Sequence, residues 1–309
     1  GTLLGRGARP VTRGDARLPA LAVAVAAVIW GLWWVPLRWL AERGLPGDWA
    51  SFAIYAAAAA LLVPGAWRRR RQLAGGGWSM LLAGGLFGVM LAMWNHAVLV
   101  GEVVRVVLLF YLAPVWATIL GAVVLRQPVG PARVGAVVLG LAGAAVILGV
   151  SDGWPVPRAA AEWLGLGAGL LFAISATATR RAGAGGDFER TFVSFAVATL
   201  AALAFVAFAP PAAAPNGREM LASLPLAALT AAIWVLPGTW LVFWGAGRLD
   251  PGRVSILLLL EIVTAAISAS LLTDEPFGWR EAVGCVLIVL AGALEAAPDP
   301  LARRNRRLA

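Results

Sequence analysis

The sequence contains no lysine and few charged side chains of any kind. Its 309 residues are 61% hydrophobic and 13% charged, with a mean hydropathy of +0.83, whereas a soluble domain has about 25% charged residues. The charges fall in short clusters between apolar runs, which is typical of loops between membrane spans. All 25 basic residues are arginine, and the net charge is +9. That balance is found in nucleic-acid-binding proteins, but the apolar content excludes this class.

Cysteine and histidine are almost missing as well. Cys285 is the sole cysteine and stands inside an apolar run, so neither a disulfide framework nor a cysteine metal site is expected. A single histidine excludes a His-Glu-x-x-His zinc motif, and neither a nucleophile elbow nor a nucleotide phosphate loop is present. We therefore expect no enzymatic activity, no metal and no cofactor.

Ten apolar segments are long enough to be membrane-spanning helices. Crossing a hydrocarbon core of about 30 Å takes about 20 residues at 1.5 Å rise per residue. The predicted spans are 18–40, 49–67, 78–99, 103–125, 134–150, 163–179, 192–209, 221–246, 254–272 and 279–297.

Arginine is distributed unequally between the two sides of these spans. The side that holds both chain ends carries nineteen of the 25 arginines, the other side carries five, and Arg105 lies within the fourth span. Positively charged loops stay in the cytoplasm, so a multi-pass protein of a bacterial inner membrane with both termini in the cytoplasm is predicted. A span gained or lost would invert every later loop, which favours ten spans over nine or eleven. The first run is long enough to remain as a span, and no cleavable signal peptide is evident.

The second half of the chain repeats the first. Residues 127–130 (QPVG) match 275–278 (EPFG) at an offset of 148, and residues 30–31 match 172–173 at an offset of 142. One duplicated unit of five helices is therefore predicted.

Five spans per unit is an odd number, so the second copy must cross the bilayer in the opposite sense. The predicted fold is an all-α integral membrane protein with ten transmembrane helices as two inverted five-helix repeats, at 18–150 and 160–297. A cytoplasmic N-terminal segment (1–17) and a cytoplasmic basic tail (298–309) flank them. In secondary transporters of this architecture the substrate binds near the midplane between the repeats, which rock against each other to give alternating access.

Several short motifs, in their order and spacing, resemble the drug/metabolite transporter (DMT) superfamily, specifically its EamA-type ten-helix members. The abundance of tryptophan and the run 110–114 (FYLAP) are similar to the YddG-type exporters of aromatic amino acids. The resemblance implies the EamA fold and export of small metabolites. Two positions depart from it, because Arg126-Gln127 replaces a Gly-Glu pair of many members and Ile262 replaces a proline often found after the glutamate. The motifs are 30–31 (WG), 112–115 (LAPV), 260–263 (LEIV) and 273–276 (TDEP).

Glu261 lies within the ninth span and is the first candidate for substrate binding. A charged residue at the centre of a membrane helix costs about 2.5 to 3.5 kcal/mol, so such groups usually face a wet cavity. Thr264 and Ser268 follow on the same helix face, which we expect to point at the cavity. Glu261 is predicted to bind a substrate ammonium group or a proton; the alternative is that it caps a broken helix.

Aromatic and polar side chains give the other candidates. Tryptophans at span ends are typical of the interfacial belt, but deeper ones can line a pocket and bind flat or cationic solutes through stacking and cation–π contacts. Tyr111 precedes Pro114, and its position matches a tyrosine-rich motif of the resembling exporters; a bond to a neighbouring helix is the alternative. Asn95 and His96 cluster near the end of the third span. The tryptophan candidates are Trp30, Trp34, Trp234, Trp240 and Trp244.

Three hypotheses for function follow. The first is a secondary exporter of small organic solutes, with aromatic and other neutral amino acids as the expected substrates, through a central midplane cavity. The second is a proton-coupled exporter of cationic drugs that uses Glu261. The third is a membrane assembly or lipid-handling protein that transports nothing. The expected partners are a small-molecule substrate and membrane lipid, and no nucleic acid.

Overall fold

The computed structural model describes residues 17–45, 47–149, 156–208, 214–273 and 277–296. Most of the predicted N-terminal segment, the basic tail and part of the motif 273–276 lie outside these residues. Within them the chain forms ten long helical segments and no strand, which confirms the predicted fold class. The helices are α1 (Arg17–Ala41), α2 (Asp48–Arg68), α3 (Gly77–Val100), α4 (Val103–Leu125), α5 (Pro131–Ile147), α6 (Ala160–Ala182), α7 (Asp187–Phe208), α8 (Gly217–Ala246), α9 (Pro251–Leu272) and α10 (Trp279–Ala296).

Eight of these helices are long and apolar enough to cross a membrane. The other two are α5, an apolar helix of 17 residues, and α10, of 18 residues, whose charges lie near its ends. These two pack against each other along their length. Gly143 and Gly284 allow the close crossing, because a Cβ on either would lie within 2.7 Å of the other's carbonyl oxygen.

The helix packing repeats between the two halves. Helix α3 packs on α6, and its counterpart α8 packs on α1; likewise α4 contacts α6, and α9 contacts α1. The pairs α2–α7, α4–α9 and α5–α10 each join one helix to its own counterpart. This pattern is that of a pseudo-twofold axis between two five-helix units, and the odd helix number makes the units inverted.

Irregular turns also occur at equivalent places in the two halves. Residues Leu81–Gly85 of α3 form a π turn, and so do Ala231–Val235 of α8, 150 residues later. Helix α4 is broken at Tyr111 and Leu112, and α9 is broken at Leu259, 148 residues after Tyr111. Tighter, three-residue hydrogen bonds bridge both breaks: the Leu112 N–H donates to the Leu109 carbonyl at 3.3 Å, and the Leu259 N–H donates to the Ile256 carbonyl at 3.2 Å.

Proline accounts for two of the breaks but not for the third. Pro36 and Pro114 lack an N–H, and the ring of each clashes with the carbonyl of the residue four positions earlier, Leu32 or Phe110. Helix α1 is interrupted at residues 32–33 and α4 at residues 111–112, at or directly after these carbonyls. In α9 the resemblance to EamA-type members led us to expect a proline at position 262. Ile262 stands there instead, yet the helix is still broken at Leu259. Glu261 lies in the first turn of the new half-helix, where the helix dipole favours a carboxylate.

The other departure from the family motif is a strained residue. Arg126 ends α4 with φ of 53°, the left-handed region, and among the described residues it is the sole non-glycine with positive φ. The N–H of Gln127 donates to the Gly121 carbonyl at 3.1 Å, as in a helix end that glycine normally closes. A glycine at this position would adopt that backbone without strain.

We expect Arg126→Gly to raise the stability of the protein. The left-handed conformation costs a non-glycine residue about 1 to 2 kcal/mol. Glycine avoids this cost but loses more conformational entropy on folding, so we expect the free energy of unfolding to rise by about 1 kcal/mol. The measurement is the thermal unfolding midpoint in detergent, with Arg181→Gly, inside α6, as the control that should be destabilised. An unchanged or lower midpoint for Arg126→Gly would contradict the account.

Candidate functional site

A cavity lies between the two halves, and it is wide at one end and narrow at the other. We call the wide part the vestibule; its volume is about 500 Å³, within the usual range for small-molecule sites. The narrow part, the inner chamber, has a volume of about 50 Å³. Five residues line both parts and so join them: Trp30, Trp33, Trp94, Asn95 and Glu261.

The vestibule opens toward the face opposite the described chain ends. Its walls reach Arg38 and Ala41 at the end of α1, Gly47 before α2, Val103 at the start of α4 and Leu148 after α5. All of these lie near the face that α1 reaches at its C-terminal end.

Glu261 and Tyr111 meet at the cavity from the two broken helices. Glu261 is ten residues after Pro251, about 15 Å along α9, and lines both parts of the cavity. Tyr111, at the break in α4, lines the vestibule and is 5% exposed; its hydroxyl lies beside the Glu261 carboxylate. The carboxylate thus has one neutral partner, and it can still accept hydrogen bonds from a solute. It also lies at the start of a half-helix, so both roles predicted for it are compatible with its position.

Five of the eleven described residues that line the inner chamber around this carboxylate are aromatic. Trp30 lies 6.0 Å from the Phe87 ring, and Trp94 meets Phe110 edge-on at 5.8 Å. Such rings present negative faces to a cation and flat surfaces to another ring. Among the described residues that line the inner chamber, Glu261 is the sole carboxylate, and none is basic.

Hydrogen bonds across three helices fix one part of the wall. The Trp33 indole N–H donates to the Asn95 amide oxygen at 3.2 Å, and the Asn95 amide donates to the Tyr55 hydroxyl and to the Leu91 carbonyl, the latter at 2.9 Å. Asn95 therefore joins α1, α2 and α3 and orients the Trp33 ring.

Two polar atoms in the inner chamber lack such partners. The Trp94 Nε1 and the Thr239 hydroxyl are buried and make no hydrogen bond within the described part of the chain. Burying a polar group without a partner is unfavourable by about 1 to 3 kcal/mol. Both residues line the inner chamber with other parts of their side chains.

A close helix crossing holds Glu261 in place. Helix α1 passes α9 at Gly31, where an added Cβ would lie 2.5 Å from the Thr264 Cβ and 2.6 Å from the Glu261 carbonyl oxygen. The Trp34 Nε1 donates to the Ser268 hydroxyl at 3.1 Å, one turn further along the same crossing. Glycine is required at position 31, because any side chain there would push the two helices apart.

The cavity is closed toward the face of the chain ends by an apolar layer and by ion pairs. The rings of Phe87, Phe172 and Phe243 pack together beneath Trp30, with Phe87 and Phe243 centred 4.9 Å apart. Beyond this layer, charged groups from the loops and helix ends of both halves pair. The pairs, by shortest N–O distance, are Arg133–Glu295 at 2.8 Å, Arg133–Asp250 at 3.2 Å, Arg180–Asp250 at 3.9 Å, Arg190–Asp187 at 3.2 Å, Arg248–Asp187 at 3.7 Å and Arg69–Glu189 at 3.2 Å.

Five of the ten predicted site residues line the cavity: Glu261, Tyr111, Trp30, Trp34 and Asn95. His96 lies outside the cavity lining: its Nδ1 is 2.8 Å from an Asp48 carboxylate oxygen, and its ring stacks on Phe205. It follows Asn95 by one residue, which is about 100° around the helix, so it faces α2 and α7 instead of the cavity.

The other four predicted residues also lie away from the cavity. Trp240 is 43% exposed and stacks on Trp244, whose other neighbour is the Arg248 guanidinium, 4.3 Å above the ring. Trp234 packs among the buried side chains between α2 and α8. Trp240 and Trp244 therefore lie on one face of α8, as their spacing predicted, but that face points away from the cavity. Thr264 faces α1, and its hydroxyl donates to the Leu260 carbonyl at 3.0 Å. Part of the polar face of α9 therefore packs against α1 and does not line the cavity.

The predicted set left out five aromatic or polar residues that line the inner chamber: Trp33, Tyr55, Trp94, Phe110 and Thr239. Tyrosine carried a usable signal, because the chain has two tyrosines and both line the cavity. Trp33 follows Trp30 by three residues, which places both on one side of a helix, so helical spacing was a usable signal for it as well.

Two inverted five-helix repeats around a cavity with a carboxylate at its centre define a multi-pass membrane protein that transports small solutes. The chain belongs to the EamA-like transporter family, which matches residues 17–149 and again residues 159–294. This is the DMT fold expected from the sequence.

Comparison with solved structures agrees on the fold. A chain described as "Crystal structure of protein" is similar to this one with a TM-score of 0.68 and 21% sequence identity, over 90% of this chain and 96% of the other. No curated protein matches the sequence.

Proposed function

We propose that the protein exports small organic solutes that combine an amino group with an aromatic or apolar body, the amino acids included. The observation that carries the proposal is a single carboxylate, Glu261, at the junction of the vestibule and a narrow, tryptophan-lined chamber. A carboxylate attracts an ammonium group, and aromatic faces add about 0.5 to 2 kcal/mol for each cation–π contact.

Alternating access is the proposed mechanism. The repeats at 18–150 and 160–297 would act as the two moving bodies, and the structure would be its outward-open state, given termini in the cytoplasm of a bacterial inner membrane. The inverted packing of the halves supports this, because exchange of their roles closes one face and opens the other.

Proton coupling is a second candidate, favoured by a specific observation. Since Glu261 is the sole carboxylate among the described lining residues, a proton and a cationic solute would compete for the same oxygens. A cationic drug exporter driven by the proton gradient would use this competition.

The test is a counterflow screen in liposomes containing the purified protein, over the common amino acids and small organic amines. We expect exchange well above that of empty liposomes for at least one solute. Ala265 lines the vestibule, so Ala265→Trp should fill it and abolish exchange. Ala74 is exposed near the face of the chain ends, so Ala74→Trp is the matched control and should exchange normally. Absence of exchange for every solute, or normal exchange by Ala265→Trp, would contradict the proposal.

A further inference from the structure

Among the described residues that line the inner chamber, the one charged side chain is negative. Among those that line the whole cavity, Glu261 is the sole carboxylate, and Arg38, in the vestibule, is the sole basic side chain. The Arg38 side chain is 62% exposed and pairs with Glu42 at 3.4 Å. The cavity therefore has one fixed negative charge at its centre and one solvated positive charge near its mouth.

These two charges are too far apart to bind one amino acid at both of its charged groups. Gly31 lies against the Glu261 backbone, and Arg38 follows Gly31 by seven residues, which is about 10 Å along the helix. The ammonium and carboxylate groups of an α-amino acid are attached to the same carbon atom. An amino acid whose ammonium group binds Glu261 would therefore hold its carboxylate beside Glu261 and out of reach of Arg38.

The hydrogen-bond donors at the centre do not compensate that carboxylate. The N–H groups of Trp33 and Trp34 and the Asn95 amide are already used within the protein. The Trp94 Nε1 and the Thr239 hydroxyl are unpaired, but they are neutral, and a buried carboxylate needs a cation or several donors.

We infer that the cavity selects organic monocations with an aromatic body and without a carboxylate, meaning primary to quaternary amines, over the corresponding amino acids. The inference rests on the proposed function and names the substrate class of the same site. The ammonium group binds Glu261, the ring stacks among Trp30, Trp33 and Trp94, and no negative group is brought to the carboxylate.

Matched pairs of solutes test the inference, because tryptamine and tryptophan, or phenethylamine and phenylalanine, differ only in the carboxylate. Equilibrium binding, followed by quenching of the protein's tryptophan fluorescence for the phenyl pair, and liposome counterflow for both pairs are the two measurements. We expect the amines to bind and exchange on the order of 100-fold better, because like charges brought together in a binding site are strongly unfavourable.

Two variants separate charge from shape. Glu261→Gln removes the repulsion and should reduce the preference for amine over amino acid to about tenfold or less. Arg38→Gln should leave the preference unchanged, because Arg38 has no part in it. Equal or better binding of the amino acids, or a preference that depends on Arg38, would overturn the inference while leaving transport itself in place. If neither class of solute bound or exchanged, the proposed function would fail together with it.

Discussion

Replacement of Glu261 by glutamine is expected to lower the exchange of an organic amine by about 100-fold. The variant keeps the size of the side chain and one hydrogen-bond acceptor, but it removes the negative charge that binds the ammonium group. A hydrogen bond to a charged group contributes about 1.5 to 3 kcal/mol, and the loss of the ion attraction in a site partly shielded from water adds to it.

The same variant distinguishes the roles predicted for this carboxylate. If Glu261 binds the solute, both equilibrium exchange and movement driven by a pH gradient should fall. If it is a proton site alone, gradient-driven movement should stop while equilibrium exchange persists. If it only stabilises the start of the half-helix, the thermal unfolding midpoint should fall and transport should remain. Glu102→Gln is the control, because the Glu102 side chain is 68% exposed.

Arg133→Gln is expected to open the cavity toward the face of the chain ends. The Arg133 guanidinium donates to Glu295 at 2.8 Å and to Asp250 at 3.2 Å, and so joins α5 in the first half to α10 and the start of α9 in the second. The Glu295 side chain is 5% exposed, and a buried charge left without its partner is destabilising by several kcal/mol. Asp250 is 35% exposed, so solvent weakens its ion pair with Arg133. We expect the variant to destabilise the closed state by about 3 kcal/mol.

Accessibility of a cysteine in the apolar layer measures this opening. Val23 is fully buried in that layer, and Cys285 can be replaced by alanine to give a background without thiols. In that background Val23→Cys should react slowly with a membrane-impermeant maleimide, and addition of Arg133→Gln should speed the reaction at least tenfold. Arg181 is exposed on the same face, so Arg181→Gln is the control. Equal labelling of the two variants would show that the ion pairs do not hold this face closed.

The fold was predictable because its signals are local and add up along the chain. Apolar runs with charges at their ends define the helices, arginine counts reinforce the number of spans, and proline marks the breaks in α1 and α4. The matching break in α9 has no proline, so it was available only from the repeat. The sequence shows small residues such as Gly31, but it does not show which neighbouring helix packs against them.

The site was less predictable because it depends on the direction of each side chain. Trp30, Trp33 and Trp34 all line the cavity and lie on one side of α1, but spacing alone does not say how much of that side the cavity occupies. Trp240 and Trp244 have the same spacing and face outward, since periodicity does not say which face of a helix is buried. The carboxylate of Glu261 was the stronger signal, because its cost in a membrane restricts where it can lie.

The π turns of α3 and α8 have a consequence for how the cavity wall can evolve. Each turn contains one residue more than a regular helix would, and a helix advances about 100° per residue, so everything beyond the turn is rotated by that angle about the helix axis. The directions of Trp94 and Asn95 in α3, and of Thr239 in α8, are therefore fixed by an insertion upstream of them. Loss of a single residue there would rotate every side chain in the remainder of the helix. Substitutions, by contrast, can change which solute is accepted while the directions of the lining side chains stay the same.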